Sequence, residues 1–476
     1  LTLVLAAAGA GTALPAAGLQ DKECGLPLFR NFPPPTYRGA NQVWGGAVAP
    51  DGTLFFGSNG QVLEYDGLAW RSIEVPGGSF IRGLAFDRDG VLWVAGVNEL
   101  GRIERGPDGR RRFVSLRALV PKETGDLGTI WQVHATAQGV WFQANGATLR
   151  WRDGKFDHWP TGDKFIVLSF WLDDHLLVAT TKGWFQPGDG GKWEAQGDPA
   201  DKLSDYLPHF AVPHPHGGWL LGLEGPKGEV VGLARWADGR LTLEPHALDA
   251  YFKAKRLYGG RRLADGRYVL TTLQGGAVLL DAELRFLTLL DEKTGLESSA
   301  VISVTPDAHD ALWLGTEWGV SRVQVHPAYS WFGPANGLSR RGVEAFVRWQ
   351  GRVLVNGTAG LMRLEIPAGV GCPKFERWTT IDEKVWNFAV SHGRLLVGGL
   401  GGLWQIEPDG TAKKLKSYTN IFGIVESRAR PGRLFTPSLN GLGLWRWSGA
   451  EWVFDEADRE VLRGVRGNSA VEAADG

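Results

Sequence analysis

The stretch FDRDGVLWVAGVNELG, at residues 86–101, decides the fold. An apolar segment ends at Asp89-Gly90, a dipeptide that suits the left-handed backbone of a two-residue hairpin turn. Val91-Leu92-Trp93-Val94-Ala95 then leaves the turn as a second strand. A further turn at residues 98–101 begins a third strand, so the stretch predicts an antiparallel meander.

The same pattern, an acidic turn before an apolar strand, recurs along the chain. Its other copies are Asp51-Gly52 before 54–57, Asp265-Gly266 before 268–270 and Asp310 before 312–315. The strand centres recur with a mean period of about 42 residues, within the range of four-stranded propeller blades. These centres are Phe55, Trp93, Trp141, Leu177, Leu220, Val269, Trp313, Leu354, Leu396 and Phe435. A helical period cannot place turn residues that often.

We therefore predict an all-β fold, a β-propeller of four-stranded antiparallel blades. In the first copy the strands are expected at residues 43–49, 53–57, 62–65 and 70–75. Inner strands carry small residues, as in Gly45-Gly46-Ala47, because the axis of a propeller is crowded. Large rings are expected to fill the widening gaps between outer strands. The tryptophans that we assign to outer strands are Trp70, Trp151, Trp193, Trp236, Trp378 and Trp452.

The first 18 residues form an apolar run of small residues that is too short and too rich in Gly and Ala to favour a membrane span. It is typical of the core of a secretory signal, and Ala16 and Gly18 fit a small-residue cleavage pattern. No Met, Lys or Arg precedes Lys22, so we expect the front to be missing. The predicted location is exported, periplasmic or on the extracytoplasmic face of the inner membrane. A disordered apolar tail is the alternative.

Residues 19–40 are predicted to be an extended lead-in, because Pro33-Pro34-Pro35 excludes a central strand or a helix there. Leu28-Phe29-Arg30 is a candidate outer strand for a blade formed much later, since ring closure by a terminal strand removes exposed sheet edges. Cys24 and Cys372 are the only cysteines. In an exported protein they are candidates for a disulfide that fastens the lead-in to the eighth repeat.

Composition excludes some classes of function. With 476 residues, 43% hydrophobic and 22% charged, the chain has the composition of a soluble globular protein. Its formal net charge of −1 provides no global field that favours nucleic acid. Arg110-Arg111-Arg112 follows Asp108-Gly109 and is interpreted as a solvated turn rather than a phosphate patch.

Motifs that carry chemistry are scarce. The sequence contains no GxSxG, GxxxxGK[ST], HExxH or CxxC pattern. His209, His214 and His216 cluster without the further ligands of a zinc site. Asp87-x-Asp89-Gly90 resembles the start of a calcium loop but lacks its terminal Glu, which favours a hairpin turn. We therefore predict no catalytic residue, metal or cofactor.

A second recurring phrase narrows the class. Residues 295–304 read GLESSAVISV and residues 311–320 read ALWLGTEWGV, and Gly337-Leu338-Ser339 begins another copy. The phrase resembles the repeat of two-component regulator propellers, the ligand-binding sensor portion of hybrid two-component and related bacterial signalling proteins. Repeats of that family read roughly Gly-Leu-Ser, an inner strand, Asp-Gly-x-Leu-Trp-x-Gly-Thr, then Gly-Leu or Gly-Val.

The resemblance covers nearly everything from Asp21 onward, and it implies two seven-bladed propellers followed by a β-sandwich, a membrane helix and a cytoplasmic signalling module. It assigns residues 41–336 to a first propeller of about seven blades. Residues 337–476 become part of a second propeller, with about three blades and the first strand of another at residues 465–476. We therefore expect the chain to be a fragment of a longer sensor, whose missing part holds the membrane segment and a kinase or cyclase module.

Such a family member senses a ligand outside the cytoplasm, which suggests a carbohydrate or another small polar molecule. The resemblance implies no nucleic-acid partner for this region, and homodimerisation only in the full-length sensor. Propeller ligands usually lie where inner strands begin and the turns between second and third strands protrude. The residues predicted there are Trp44, Arg82, Trp131, His209 and Trp386, with the turn residues Asn98, Glu99, Asn145, Lys182, Gln274, Glu317 and Trp318.

Aromatic faces in this set can stack on sugar rings while the polar groups bind hydroxyls or carboxylates. The alternative is that the rings fill the axial opening and the polar groups face water. Two other classes of function also stay open. A glycan-active lyase or hydrolase would be favoured by convergent carboxylates or a His–acid pair at the axial opening, and a protein-interaction scaffold by a contiguous apolar patch.

Overall fold

The computed structural model describes residues 23–162, 166–197, 205–325, 330–339, 343–357, 360–367, 372–417, 420–456 and 467–473. These residues form ten four-stranded antiparallel sheets, which confirms the predicted propeller fold. They belong to two compact units: the ring unit, Pro27–Pro327, and a second unit formed by Leu1–Leu26 with Ala328–Gly476. The signal-like segment at residues 1–18 lies outside the described residues.

The ring unit contains seven blades, of which the first six are built from four consecutive strands each. Their bounds are Gly45–Val48, Leu54–Gly57, Gln61–Tyr65 and Trp70–Glu74 in blade 1; Gly83–Phe86, Leu92–Ala95, Leu100–Arg105 and Arg111–Ser115 in blade 2; Ile130–Thr136, Gly139–Ala144, Ala147–Arg152 and Lys155–Pro160 in blade 3; Ile166–Leu172, His175–Thr180, Gly183–Pro187 and Trp193–Gln196 in blade 4; Leu207–Pro213, Trp219–Glu224, Val230–Ala237 and Arg240–Leu243 in blade 5; and Leu257–Arg262, Tyr268–Thr272, Ala277–Leu280 and Phe286–Leu290 in blade 6.

Blade 7 is completed by the start of the chain. Its first three strands are Val301–Pro306, Ala311–Thr316 and Gly319–Gln324, and its outer strand is Phe29–Phe32. Phe29 pairs with Val323 and Phe32 with Val320 in antiparallel register. The expected closing strand is thus confirmed, one residue further along the chain than predicted. Blade 7 also contacts blade 1, where the backbone N–H of Val43 donates to the carbonyl of Thr316 at 3.1 Å.

In several blades the hairpin between the first and second strands depends on an aspartate at the start of its turn. Asp87 Oδ1 accepts hydrogen bonds from two backbone N–H groups of its turn, at 3.0 and 2.9 Å, and Oδ2 accepts one from Trp93 Nε1 at 2.7 Å. Gly90 supplies the left-handed backbone, with φ of 75°. Asp307 makes the same contacts in blade 7 and binds Trp313 Nε1 at 2.9 Å. One motif therefore sets both the turn and the orientation of the buried indole, which confirms the hairpin interpretation.

The assignment of tryptophans to outer strands is partly wrong. Trp151 and Trp236 lie in third strands, because a third strand already faces the neighbouring blade. The Trp236 ring packs 4.7 Å from the Trp184 ring of the adjacent blade, measured between centroids. Large side chains are thus needed one strand nearer the axis than we expected.

Helical segments are short and lie between strands. Within the described residues, the α-helices are Pro34–Tyr37 and Asp249–Lys255, and the 3-10 helices are Arg117–Leu119, Lys122–Thr124, Asp189–Gly191 and Pro334–Asn336. The prediction that Pro33-Pro34-Pro35 excludes a helix is wrong, because the prolines stand in the first turn, where a helix needs no backbone N–H. Among the helices in the described ranges, none is long and apolar enough to cross a membrane.

The second unit contains three blades. Their strands are Phe346–Trp349, Arg352–Gly357, Gly360–Glu365 and Lys374–Arg377 in blade 8; Val385–Ser391, Arg394–Gly399, Gly402–Ile406 and Ala412–Ser417 in blade 9; and Val425–Glu426, Arg433–Ser438, Gly441–Trp447 and Trp452–Phe454 in blade 10. Of the segment expected to begin an eleventh repeat, residues 467–473 are described and include no strand. Cys24 is exposed and Cys372 is partly exposed, and their disulfide stays a prediction.

The seam between blades 7 and 1 is an aromatic core centred on Phe32, whose side chain is 3% exposed. The Phe32 ring stacks on Trp313 of blade 7 with centroids 5.6 Å apart. It also meets Trp70 of blade 1 edge-on at 5.3 Å. The closing strand therefore joins the two ends of the ring through side chains as well as through backbone hydrogen bonds.

We expect Phe32→Ala to lower the free energy of unfolding by about 3–5 kcal/mol, because it leaves a cavity at this seam. Urea unfolding of the full chain, followed by tryptophan fluorescence, measures the change. Leu28→Ala is the matched control, since Leu28 is 55% exposed and its loss should cost no more than about 0.5 kcal/mol. Equal effects of the two substitutions would contradict a closing role for Phe32.

Candidate functional site

A cavity of about 1160 Å³ opens at the axis of the ring unit, and every one of the seven blades contributes to its wall. First strands supply most of the lining, since they stand nearest the axis. The aromatic and polar lining side chains include Trp44, Arg82, Trp131, Gln132, His134, Ser169, Trp171, His209, Glu224, Arg256, Tyr258, Arg261, Gln274, Ser303 and Glu317.

One register position supplies many of these side chains. In blades 3, 5, 6 and 7 the pairing of first and second strands shifts by one residue, and the displaced residues are Trp131, His209, Tyr258 and Ile302. A β-bulge of this kind re-aims the extra side chain. Trp44 and Arg82 stand at the corresponding place, directly before the first strands of blades 1 and 2. All six residues line the cavity.

Arg82 is held between two indole rings. Its guanidinium carbon lies 3.6 Å from the ring centroid of Trp44 and 4.3 Å from that of Trp131, distances at which a cation is attracted to an aromatic face. Burial lowers the pKa of Arg82, which as an arginine keeps its charge. Trp131 Nε1 in turn donates to Asn145 Oδ1 at 2.6 Å, which orients the ring.

A His–acid pair lies in the same wall. His209 Nε2 and Glu224 Oε2 are 2.9 Å apart, and both side chains are 22% exposed. The His209 ring lies 5.8 Å from the ring of Tyr258, between centroids. Burial raises the pKa of Tyr258, and the charge of Arg82 opposes this shift. A histidine oriented by a carboxylate and next to a phenol has the groups needed for proton transfer.

A second polar chain lines the cavity in blades 3 and 4. Ser169 Oγ lies 3.0 Å from Gln132 Oε1 and 2.9 Å from His134 Nε2. Because the amide oxygen can only accept, the hydroxyl donates to Gln132 and accepts from the Nε2–H of His134. His134 therefore does not act as a base toward Ser169. Burial lowers the pKa of His134 to about 4.

The structure brings together six of the residues predicted from sequence: Trp44, Arg82, Trp131, His209, Gln274 and Glu317 all line the cavity. Asn145 lies behind the wall, where it supports Trp131. Whether these residues bind a ligand stays a prediction.

The other predicted residues lie outside this wall. Asn98 and Glu99 bind other segments of the chain: Asn98 Oδ1 accepts from the backbone N–H of Leu127 at 3.3 Å, and Glu99 Oε1 accepts from Ser115 Oγ at 2.7 Å. Lys182 is absent from the lining, and Trp318 is exposed in the turn beside Glu317. Hydrogen bonds to other segments thus occupy Asn98 and Glu99, which repeat register alone had placed at the opening.

Trp386 belongs to the second unit. It stands at the same register shift in blade 9, between Val385 and Asn387. Its ring packs 5.5 Å from Phe422, between centroids, and Lys384 Nζ lies 3.8 Å from its centroid. The register prediction is correct for this blade, but the residue takes no part in the axial cavity of the ring unit.

Sequence reasoning missed several lining residues, among them Gln132, His134, Ser169, Arg256, Tyr258 and Arg261. Tyr258 could have been predicted from the sequence, because it occupies the same register position as Trp131 and His209. The others lie deeper along the first strands or near a loop. Among the described residues, no group of three His, Cys, Asp or Glu side chains is positioned to bind a metal ion.

No protein-family model matches this chain, and no curated protein matches it significantly. Among solved structures, it is similar to the extracellular domain assigned to a hybrid two component system, BT3049, of B. thetaiotaomicron, with a TM-score of 0.65 and 14% identity over 91% of this chain and 61% of that one. It also matches the extracellular domain assigned to the one component system BT4673 of B. thetaiotaomicron, with a TM-score of 0.48 and 15% identity over 90% of this chain and 61% of that one.

A third match is virginiamycin B lyase from Staphylococcus aureus, with a TM-score of 0.45 and 11% identity over 63% of this chain and 99% of that one. The match to the BT3049 extracellular domain confirms, for the fold, the resemblance predicted from the sequence. The chain spans about three fifths of the length of the two extracellular domains.

The depressed pKa of His134 predicts a pH dependence of stability. The unfolded histidine binds a proton below about pH 6.5, whereas the folded one stays neutral until about pH 4, so stability is lost as the pH falls between these values. We expect His134→Gln to remove a loss on the order of 3 kcal/mol across this window. Urea midpoints from pH 7 to pH 4 measure it.

His309→Gln is the control, because His309 is exposed in the hairpin of blade 7. An acid response that is identical in wild type and His134→Gln would show that His134 is not the group that titrates.

Proposed function

We propose that the ring unit is an extracytoplasmic ligand-binding sensor propeller of a bacterial signal-transduction protein, and that it binds a carbohydrate or another small polar ligand in the axial cavity. The observation that carries the proposal is the composition of the cavity wall. Trp44, Trp131 and Tyr258 offer ring faces or edges, while Gln132, Gln274 and Glu317 offer hydrogen-bonding groups. Sugar recognition needs both kinds of group.

The size of the cavity supports a ligand of more than one sugar ring. At about 1160 Å³ it is larger than most small-molecule sites, which span roughly 300–1,000 Å³. The wall is built from separate blades, so a ligand that reaches from Trp131 in blade 3 to Tyr258 in blade 6 would link opposite sides of the ring. Such a ligand binds more tightly to a conformation that holds these blades in place, and a difference in affinity between two conformations is what ligand sensing requires.

The similarity to extracellular domains assigned to two-component and one-component systems supports the sensor role and the exported location. The apolar, small-residue run at residues 1–18 supports export on independent grounds.

We expect a bound oligosaccharide to raise the melting temperature, since a ligand at 100 times its Kd stabilises the folded state by about 2.7 kcal/mol. A panel of neutral and acidic di- and trisaccharides identifies the class by thermal shift. Combined replacement of Trp44, Trp131 and Glu317 by Ala should abolish the shift. The control variant carries alanine at Leu68, Leu119 and Leu243, which are exposed residues in or next to blades 1, 2 and 5. Retained binding in the folded triple variant would remove the proposal.

A glycan-active enzyme is the second candidate, and the His209–Glu224 pair favours it. The pair meets the criterion of a His–acid arrangement at the axial opening, and Tyr258 supplies a further proton donor or acceptor beside it. In that function His209 would act as a base oriented by Glu224, and Arg82 would hold the substrate.

Turnover separates the two candidates. If the cavity only binds, incubation of wild-type protein with each oligosaccharide that gives a thermal shift should yield no new product by mass spectrometry. If the cavity is catalytic, products form and His209→Gln reduces their rate by about 100-fold or more, the usual contribution of general acid–base catalysis. Glu224→Gln should then have a similar effect, and His309→Gln none.

A further inference from the structure

Three guanidinium groups line the axial cavity without a counter-charge, that of Arg82 on a partly buried residue and those of Arg256 and Arg261 on exposed residues. The side chains of Arg82, Arg256 and Arg261 form no hydrogen bond or ion pair with any residue in the described ranges. Elsewhere in the ring unit, arginines commonly bind a carboxylate within 4 Å, as do Arg71, Arg102, Arg111, Arg150, Arg267 and Arg285. Arg88 and Arg262, outside the cavity wall, also form no ion pair with a described residue, so what distinguishes the cavity is the place of Arg82, beside the rings of Trp44 and Trp131.

Arg82 is the most constrained of the three. Its Nε is buried and has no hydrogen-bond partner, and its guanidinium carbon lies over the rings of Trp44 and Trp131, 3.6 and 4.3 Å from their centroids. A buried polar group without a partner is costly, and a buried charge without one more so. A planar guanidinium held between two rings can offer its N–H groups only at its edges, and this is the direction in which a bidentate anion binds.

The backbone at Phe80, two residues before Arg82, is strained, and this strain supports a binding role for Arg82. Phe80 has φ of 46°, in the left-handed region that a bulky residue rarely occupies. Its ring lies 6.2 Å from that of Trp44 and 6.0 Å from the Arg82 guanidinium carbon. Strain of this kind clusters at binding sites, where the surrounding structure holds it in place. Phe80 thus adds a third aromatic neighbour to the Arg82 guanidinium.

The acidic groups of the wall do not neutralise these arginines. Glu224 is bonded to His209, and Glu317 is an exposed residue of a turn. Neither forms an ion pair with Arg82, Arg256 or Arg261. The wall therefore has one more formal positive than negative charge, three arginines against two glutamates, and one of these arginines, Arg82, lies against aromatic rings.

We infer that the ligand of the axial cavity carries an anionic group, a carboxylate or a sulfate ester on a sugar ring, and that Arg82 and Arg261 bind it. This inference rests on the proposed function and names the class of ligand. The sugar ring stacks on an indole, and the anion replaces the counter-charge that the protein does not supply. Both anions present paired oxygens that match the guanidinium fork.

The test compares ligands that differ in charge but not in size. We expect digalacturonate to bind at least about tenfold more tightly than neutral galactobiose by isothermal titration calorimetry, the difference of one hydrogen-bonded ion pair. A sulfated galactobiose is the second arm, and it distinguishes a sulfate site from a carboxylate site. Binding of the preferred anion should weaken as NaCl rises, although less than at an exposed site.

Variants locate the site. Arg82→Gln and Arg261→Gln should each weaken binding of the preferred anion by about tenfold or more, and Arg82→Lys, which keeps the charge but loses the planar fork, should retain part of it. Arg262→Gln and Arg88→Gln are the matched controls. Arg262 is next to Arg261 on the same strand but outside the cavity wall, and Arg88 is exposed in the hairpin of blade 2. Neither should change the Kd by more than about twofold.

The outcomes are distinct. If galactobiose binds as tightly as both acidic disaccharides, and Arg82→Gln and Arg261→Gln have no effect, the anionic class is overturned while the proposed sensor site stands. If no saccharide binds wild-type protein, both are overturned, and Arg82 only fills the opening between Trp44 and Trp131. Circular dichroism establishes that each variant is folded, and Arg261→Gln carries the test if Arg82→Gln does not fold.

Discussion

Ring closure at blade 7 is the constraint on which the rest of the ring unit depends. The strand Phe29–Phe32 completes a blade whose other strands come from residues 301–324, so chain segments nearly 300 residues apart share one sheet. Without this strand, blade 7 would expose an unpaired edge, and the aromatic seam around Phe32 would open to water. The axial cavity has lining residues on both sides of the seam, Trp44 in blade 1 and Glu317 in blade 7. Its shape therefore exists only in the closed ring.

Within the closed ring, one recurring backbone feature places several side chains in the cavity wall. The register shift near the start of the first strands displaces one residue in each of blades 3, 5, 6 and 7, and the side chains that occupy this position differ widely in chemistry. An indole, an imidazole and a phenol are presented at the same depth around the axis. Function can thus vary by substitution at these positions while the strands and their hairpins stay unchanged.

The chemistry of the wall is consistent with recognition of a charged sugar in either candidate function. Arg82, fixed between Trp44 and Trp131, is suited to hold an anion in place whether or not a reaction follows. His209 and Glu224 provide hydrogen-bonding groups for a sensor and an acid–base pair for an enzyme. The two functions therefore share a ligand class and differ in whether a bond of that ligand breaks.

The sequence by itself determined the blades, because turns and strand alternation are local properties that recur about every 42 residues. The same register also located Trp44, Arg82, Trp131 and His209, since each stands at a fixed distance from its hairpin. Only the tertiary structure decided that the closing strand begins at Phe29. It also decided that Asn145 supports the wall instead of lining it, and that Arg261 faces the cavity without a counter-charge. These outcomes depend on contacts between blades, which no local pattern encodes, because partners far apart in the chain meet only when the ring closes.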